Sequence, residues 1–447
     1  MKKYLVIIVT AFFAFTVNGQ EETKSLSLQE AIDYAIKNSY NSRAAINDIT
    51  AAKKKVWETT TIGLPQIEAK VDYQNWLQQQ VSLLPAEIFG GNAGEFAEVT
   101  FGTQQNLNAT VTLRQLLFDG SYLVGLQSAR TFLKISEQAK EKTELGVKEA
   151  VINAYGNVLV SEKSIEILKR NKALVEKNLE EVKKIYENGL NEEEDVEQLE
   201  ITLGNIKSQL NSVIRMKAVA YQMLNITLGN SIRTELVLTD SLDSLTESNI
   251  NFGLISQEFT LENHIDFKIA ENDRESKRLL MRFEQSKALP TLSAFVNYGS
   301  TSNSDSFTFF NGNQKWFGSS LLGVSLNIPI FSSFQRKSKT AQAEIALETA
   351  DIRLEETKQK LNLQAERAKS EYQLSIENYE TAKRNVSLAE RIEKKQRVKF
   401  FEGISTSFDL TQAQNQLYSQ QQAFIQSMLD VIAKKAALET ALNIPTK

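Results

Sequence analysis

Carboxylates are the side chains of this 447-residue chain whose type and spacing could do chemistry, and they gather at two corresponding places. Asp195 stands six residues after Gly189, at the end of the run Glu192-Glu193-Glu194-Asp195, and Asp409 stands six residues after Gly403. A carboxylate three residues after a small polar residue can start a helix through a capping box, and Asn191/Glu194 and Thr406/Asp409 both have that spacing. Several copies of the same carboxylates set around an opening would instead make an acidic ring that selects cations. Other chemistry is poorly supplied. There is no cysteine, and His264, the only histidine, aligns with Ser39 and reads as structural. No phosphate-binding glycine loop, Ser/His/Asp set or metal constellation is present. No catalytic, cofactor-binding or metal-ligating residue is therefore assigned, and the chain is not expected to be an enzyme.

The elements that must position these groups repeat. Asn38, Ala45, Asp48 and Leu64-Pro65 match Asn263, Ala270, Asp273 and Leu289-Pro290 at an offset of 225. Further on, Phe118 matches Phe331 at 213, and Gly189, Asp195, Leu203 and Leu228 match Gly403, Asp409, Leu417 and Leu442 at 214. The chain divides into a first repeat over 20–229, a linker over 230–254 and a second repeat over 255–447. Duplication of this kind favours pseudo-symmetric halves that build one wall over a single asymmetric cleft.

Each repeat reads as helix, strand, strand, helix, helix. Phe334 to Glu402 contains neither Pro nor Gly, with Leu347, Leu354 and Leu361 spaced by seven. Ser121 to Asn188 matches it, with Leu145-Ile152-Leu159 and Leu168-Val175-Val182 spaced by seven. Such lengths call for packing along a coiled-coil seam, and each helix would span about 100 Å. Gly189 and Gly403 supply the left-handed turn that ends each long helix. Return helices of about 36 residues follow, one carrying the ladder Leu410, Leu417, Phe424, Val431, Leu438. Leading helices of similar length are expected over Leu28–Ile62 and Ile255–Leu289, so two short helices end to end match one long one.

Between the helices the period falls to two. Ile67, Ala69, Val71 and Tyr73 alternate with Glu68, Lys70 and Asp72; Leu107, Ala109, Val111 and Leu113 alternate with polar residues ending at Arg114. The second repeat gives Leu292, Ala294, Val296, Tyr298 and then Leu322, Val324, Leu326, Ile328. Such strands suit a membrane β-barrel of about 9–11 residues per crossing or a soluble sandwich with one wet face, and the alternation fits both. Tyr73, Trp76, Phe101, Phe118, Phe295, Tyr298, Trp316, Phe317 and Phe331 crowd this region, as interfacial girdles do.

The first nineteen residues tip that balance. Lys2 and Lys3, an apolar run from Leu5 to Val17 and Val17-Asn18-Gly19 read as a secretory signal peptide over 1–19, too short for a spanning helix. Loss of Lys2 and Lys3 takes the net charge from −4 to −6, which offers nothing to nucleic acid. Absence of cysteine excludes disulfides, thiolate metal sites and a lipid anchor on an N-terminal cysteine, so the chain is expected to be non-lipidated.

In order, and twice over, the chain resembles the TolC-like outer membrane efflux proteins. Leu28-Gln29-Glu30-Ala31-Ile32, Leu64-Pro65, Leu289-Pro290 and Phe118-Asp119-Gly120 carry the likeness. So do the turns Tyr186-Glu187-Asn188-Gly189-Leu190 and Phe400-Phe401-Glu402-Gly403-Ile404. The resemblance implies an α+β membrane protein whose four strands join those of two further copies in a twelve-stranded trimeric β-barrel, set on a long coiled-coil α-helical barrel. It implies an exit duct in the outer membrane of a Gram-negative cell, with its tunnel in the periplasm. The partners would be two more copies of the chain, outer membrane lipid, a periplasmic adaptor and an inner-membrane transporter, with no cofactor. Carried over, Asp195 and Asp409 lie at the periplasmic constriction, and Gly189, Leu190, Gly403 and Ile404 form the adaptor-docking tip. Glu68, Lys70, Asp72 and Arg114 line the barrel lumen. Phe400, Ser405 and Gln412 depart from the tyrosine, basic and acidic groups that close some members' mouths. A periplasmic adaptor is the alternative, but it would have one helical hairpin rather than two.

Overall fold

The computed structural model describes residues 24–190 and 192–444. The expected signal peptide over 1–19, the capping candidate Asn191 and Pro445 lie outside the described residues. In chain order the first repeat contains β1 (Lys24–Leu26), α1 (Leu28–Asn38), α2 (Tyr40–Thr61), β2 (Gln66–Asn75), β3 (Val81–Pro85), β4 (Phe96–Thr100), β5 (Gln105–Asp119), α3 (Gly120–Glu187) and α4 (Glu193–Leu228). Next come β6 (Leu236–Leu238), α5 (Leu242–Ser248) and α6 (Phe252–Ile255). The second repeat supplies α7 (Ile265–Ser286), β7 (Thr291–Ser304), β8 (Phe317–Asn327), α8 (Gln335–Phe401) and α9 (Ser407–Ala441).

The chain forms two compact units, one of residues 49–136 and 270–354, the other of residues 24–48, 137–269 and 355–444. The first is organised by an antiparallel sheet in the order β2-β5-β7-β8. Its register carries the sequence alternation across all four strands. Ile67 faces Leu113, Leu113 faces Val296 and Val296 faces Leu322, an apolar row on one face. Lys70, Thr110, Gly299 and Ser319 form a row of the opposite face in the same way. The strands run longer than the alternation suggested, 15 residues in β5 and 14 in β7, because Gln115 to Asp119 continue the pairing of β5 and Ser300 to Ser304 that of β7. A second hairpin, β3–β4, occupies the connection between β2 and β5. At the far end of β5, Asp119 accepts hydrogen bonds from the backbone N–H of Ser121 at 2.7 Å and of Tyr122 at 3.2 Å. That cap turns a strand into α3 within one residue and gives the Phe118-Asp119-Gly120 motif its physical content.

The other unit is helical. Ile32 and Ala35 of α1, Val151 and Tyr155 of α3, Leu224 and Leu228 of α4, Tyr372 of α8 and Met428, Val431 and Leu438 of α9 share one buried cluster. The segment between the repeats is tied to this core. β6 pairs in parallel with β1, Lys24 facing Leu236. Tyr155, wholly buried, donates its hydroxyl proton within 3.0 Å of both the Leu26 carbonyl and the Asp240 carboxylate. Asp240 in turn accepts from the Leu28 N–H at 2.7 Å. On the long helix of the second repeat, Tyr372 donates to the Asn249 carbonyl at 2.6 Å and accepts from the Asn251 N–H at 2.9 Å. Thus one tyrosine from each long helix holds each end of the connecting segment.

The leading helices differ from expectation. Leu28–Ile62 is broken at Ser39, whose backbone is extended at ψ 150 and whose hydroxyl accepts from the Ser42 N–H at 3.2 Å. A serine able to cap a new helix outweighs continued periodicity there. In the second repeat the helix begins at Ile265 rather than Ile255, after two short turns. His264 sits at that start, buried, its Nδ1 accepting from the Asp266 N–H at 3.1 Å. Burial holds its imidazole below the ordinary histidine range, in keeping with a neutral, structural ring.

Replacing Tyr155 by Phe removes one of two donors from both the Leu26 carbonyl and the Asp240 carboxylate, which keep the Thr239 and Leu28 N–H groups, at a cost of about 0.5–1.5 kcal/mol. The helical circular-dichroism signal of that variant should melt at lower temperature, with faster amide exchange over residues 24–28 and 236–240. Unchanged melting and exchange would show that the hydroxyl carries no such role.

Candidate functional site

Two helix-to-helix turns and one sheet face hold the residues singled out by sequence. Both turns close in the same way. Gly189 has φ 74 and Gly403 φ 70. Gly189 N–H bonds the Tyr186 carbonyl at 2.8 Å and Leu190 N–H the Ile185 carbonyl at 3.1 Å. Gly403 N–H bonds the Phe400 carbonyl at 3.0 Å and Ile404 N–H the Lys399 carbonyl at 2.8 Å. This is the glycine-dependent C-terminal closure that satisfies the last helical carbonyls. It leaves Leu190 and Ile404 at matching positions with apolar side chains 78% and 68% exposed.

The return helices start differently. In α9, Thr406 Oγ1 accepts from the Asp409 N–H at 3.2 Å, while the Asp409 carboxylate accepts from the Thr406 N–H at 3.2 Å and its hydroxyl at 2.9 Å. Asp409 therefore caps its helix. In α4 the capping position is Glu192, with no side-chain cap, and the expected Asn191/Glu194 box is replaced. Shifting the start by one residue puts Asp195 at the third helical position, the same one Asp409 holds in α9. A glutamate at the cap position cannot close the short ring that serine or threonine closes. Glu193, Glu194 and Asp195 instead gain from the helix dipole. The structure thus brings Asp195 and Asp409 to equivalent places on two hairpins but gives only Asp409 a capping bond.

On the sheet, Glu68 faces Thr112, Lys70 faces Thr110, Asp72 faces Asn108 and Arg114 faces Gln66. All four lie on one face, as the period of two requires. Lys70 and Asp72 pair at 2.9 Å, both well exposed, so the pair adds at most about 1 kcal/mol. On the opposite face Ile67, Val71, Tyr298, Leu322 and Val324 are exposed, Leu322 by 73%. Among the described residues no group of three or more His, Cys, Asp or Glu is placed to hold a metal.

Sequence reasoning missed one feature near these turns: a set of buried polar side chains between α8 and α9 around Glu393 and Gln414. Its only signal is Glu393, Gln396 and Gln414 at positions where the first repeat has Leu179, Val182 and Glu200. Phe400 joins the apolar cluster with Leu199, Leu203 and Leu410 instead of facing an opening.

The sheet with one exposed apolar face and the long paired helices are the two parts of the architecture, and comparison with known proteins names the family. The chain belongs to the outer membrane efflux protein family, whose profile matches residues 31–230 and 257–443. Among its relatives, the toluene efflux pump outer membrane protein TtgC of Pseudomonas putida is 23% identical over 322 residues. That alignment covers 71% of this chain but 64% of the relative, so the chain spans less than two thirds of that protein. Outer membrane protein TolC of Vibrio cholerae is 24% identical over 251 residues, 56% of each chain. CusC, known from crystal structures for conformational changes accompanying folding and transmembrane channel formation, superposes with a TM-score of 0.73 at 17% identity, over 96% of this chain and 95% of its own. The resemblance read from the repeated motifs is borne out, and so is the α+β architecture of long helical hairpins and membrane-type strands.

Two substitutions separate the roles at the turns. At Gly403 a side chain would meet no atom within 4 Å, so Gly403→Val strains only the backbone, by about 1–2 kcal/mol. The folded chain should survive while the turn changes shape, read as faster amide exchange over residues 399–410 with the overall helical signal retained. Asp409→Asn tests capping against charge: if the residue acts only as a cap, melting temperature falls and channel conductance and cation preference in a planar bilayer stay at wild-type values.

Proposed function

We propose that the chain is the exit duct of a tripartite efflux pump or type I export system, seated as a homotrimer in the outer membrane of a Gram-negative cell. The observation that carries this reading is the sheet. Four strands with unpaired edges at β2 and β8 and an exposed apolar face suit neither water nor lipid alone. Barrels begin at about eight strands, and three copies supply twelve. The apolar rows then meet lipid, and the face with Glu68, Lys70, Asp72 and Arg114 lines the lumen. On α4, Met216, Val219, Met223 and Ile226 form an exposed apolar stripe at alternating spacings of three and four, suited to a neighbouring helix.

In this reading the tips at Gly189, Leu190, Gly403 and Ile404 face the periplasm and take the adaptor, with the inner-membrane transporter behind it. Asp195 and Asp409 ring the narrow mouth. The protein does no covalent chemistry; it provides a path. Its cargo is chosen by the pump to which it is coupled.

Assembly and orientation are both measurable. Protein extracted in mild detergent should scatter light as three chains, and a monodisperse monomer would overturn the barrel. In this cysteine-free chain, Asn92→Cys and Asn311→Cys, in the connections beyond β3 and β7, should react with an impermeant thiol reagent on intact cells. Glu193→Cys should stay unlabelled until the periplasm is opened; the reverse pattern would invert the topology.

A further inference from the structure

The second hairpin hides a carboxylate where the first hides none. Glu393 of α8 is 4% exposed and its Oε1 makes no hydrogen bond among the described residues. Gln396 Oε1, Thr411 Oγ1, both amide atoms of Gln414 and the Tyr418 hydroxyl are buried and unpartnered in the same seam. So many unsatisfied polar groups in one short stretch is unusual, since interior polar groups nearly always find partners. Among the described residues the cation acting on Glu393 is Arg397, one turn along the same helix, 3.9 Å from the carboxylate and too far for a good hydrogen bond.

The first repeat shows what this seam replaced. At the offset of 214, Glu393, Gln396, Arg397, Gln414 and Tyr418 correspond to Leu179, Val182, Lys183, Glu200 and Gly204. Leu179 and Val182 are buried in an apolar cluster, and Lys183 pairs with Glu200 across the two helices at 2.6 Å in solvent. In the second hairpin the partner of the basic residue has become a neutral amide, and the carboxylate has moved from the surface of the return helix to the interior of the long one. The negative charge has been internalised.

We propose that Glu393 is a proton-operated latch on the α8–α9 hairpin. Protonated, it is a hydrogen-bond donor that the Gln414 carbonyl can satisfy, and the seam stays packed. Ionised, it is an undercompensated buried charge that draws water into the seam and loosens α8 against α9. Burial raises the Glu393 carboxyl above its ordinary range, with the charge of Arg397 opposing in part. Burial, and then the charge of Glu393, raise the Tyr418 hydroxyl as well, so Tyr418 stays neutral. No charged group of α3 or α4 is among those acting on the site. The sign follows from the raised carboxyl. The packed seam binds the proton more tightly than an open one, so its stability is fully present below the unfolded carboxyl's value of 4.5 and is lost as pH rises through the raised value.

This goes beyond the duct reading and is tested without depending on it. Amide hydrogen exchange on the full-length detergent-solubilised protein is measured between about pH 5 and about pH 8, corrected for intrinsic rates, with residues 175–205 of the first hairpin as internal control. Protection over residues 389–420 should fall as pH rises, by up to about tenfold for each unit by which the carboxyl is raised, while the control stays level. Glu393→Gln, neutral throughout, and Glu393→Leu, which restores the first hairpin's residue type, should both abolish the pH dependence. A wild-type profile that is flat, that changes equally in both hairpins, or that persists in either variant would overturn the latch. Trimer formation and thiol labelling are unaffected by any of these outcomes, so the two readings fail separately.

Discussion

Everything in this chain answers to a sheet that cannot finish itself. On their outer edges, β2 and β8 have no partner strand within the four-stranded sheet, and one face carries exposed apolar residues. In lipid an unpaired backbone amide is among the most expensive groups a protein can expose, so such a sheet persists only when it is closed on itself. Closure in turn demands alternation without slippage, because a one-residue shift would exchange the lipid face for the wet one. The observed register keeps Ile67, Leu113, Val296 and Leu322 in one row across four strands drawn from both repeats. The duplication therefore supplies two strand pairs that share a face, each flanked by helices that must share a direction as well.

The sequence showed most clearly those features fixed by local rules. Alternation gave the faces of the sheet, glycine gave both turns, and the lack of breakers gave two helices of 68 and 67 residues. Each depends on residues within one or two turns of one another. What stayed hidden depended on competition between neighbours of similar merit. Ser39 could have continued a helix or capped a new one, and only the fold around it decided in favour of the cap. Asn191 and Glu192 were both available as the start of α4. The chain uses Glu192, the poorer capping residue, so Asp195 rather than Glu194 reaches the third position. The β3–β4 hairpin has apolar residues without a clean period, and β3 ends at Pro85 in a two-stranded sheet whose strands are both edges, where proline is tolerated.

The link between the repeats was legible as a segment but not as a structure. Its anchors are hydroxyls of Tyr155 and Tyr372, residues a heptad reading assigns to the core and leaves there. A buried tyrosine needs somewhere for its O–H to go, and here each points at backbone or carboxylate of the connecting segment. The constraint runs both ways. Asp240 is acceptable near the core because Tyr155 and the Leu28 N–H satisfy it, and Leu28 can begin a helix because Asp240 and Ser27 meet its first donors.

Duplication also explains where divergence was tolerated. The two turns keep the same glycine, the same two closing bonds and an acid at the same helical position, because these set the backbone path of each tip. Away from that path the copies are free to differ, and they do so in the interior. The first hairpin is closed by Leu179, Val182, Leu199 and Leu203 and carries its charges outside. The second trades part of that apolar seam for Glu393, Gln396, Gln414 and Tyr418 while retaining Leu410 and Leu417 above and below. An apolar seam gains by staying shut under all conditions. A seam of unpaired polar groups is held shut only by its surroundings, and its balance shifts with water and protons. Two hairpins with one backbone design thus differ in how firmly they are closed, and it is the second in which opening costs least.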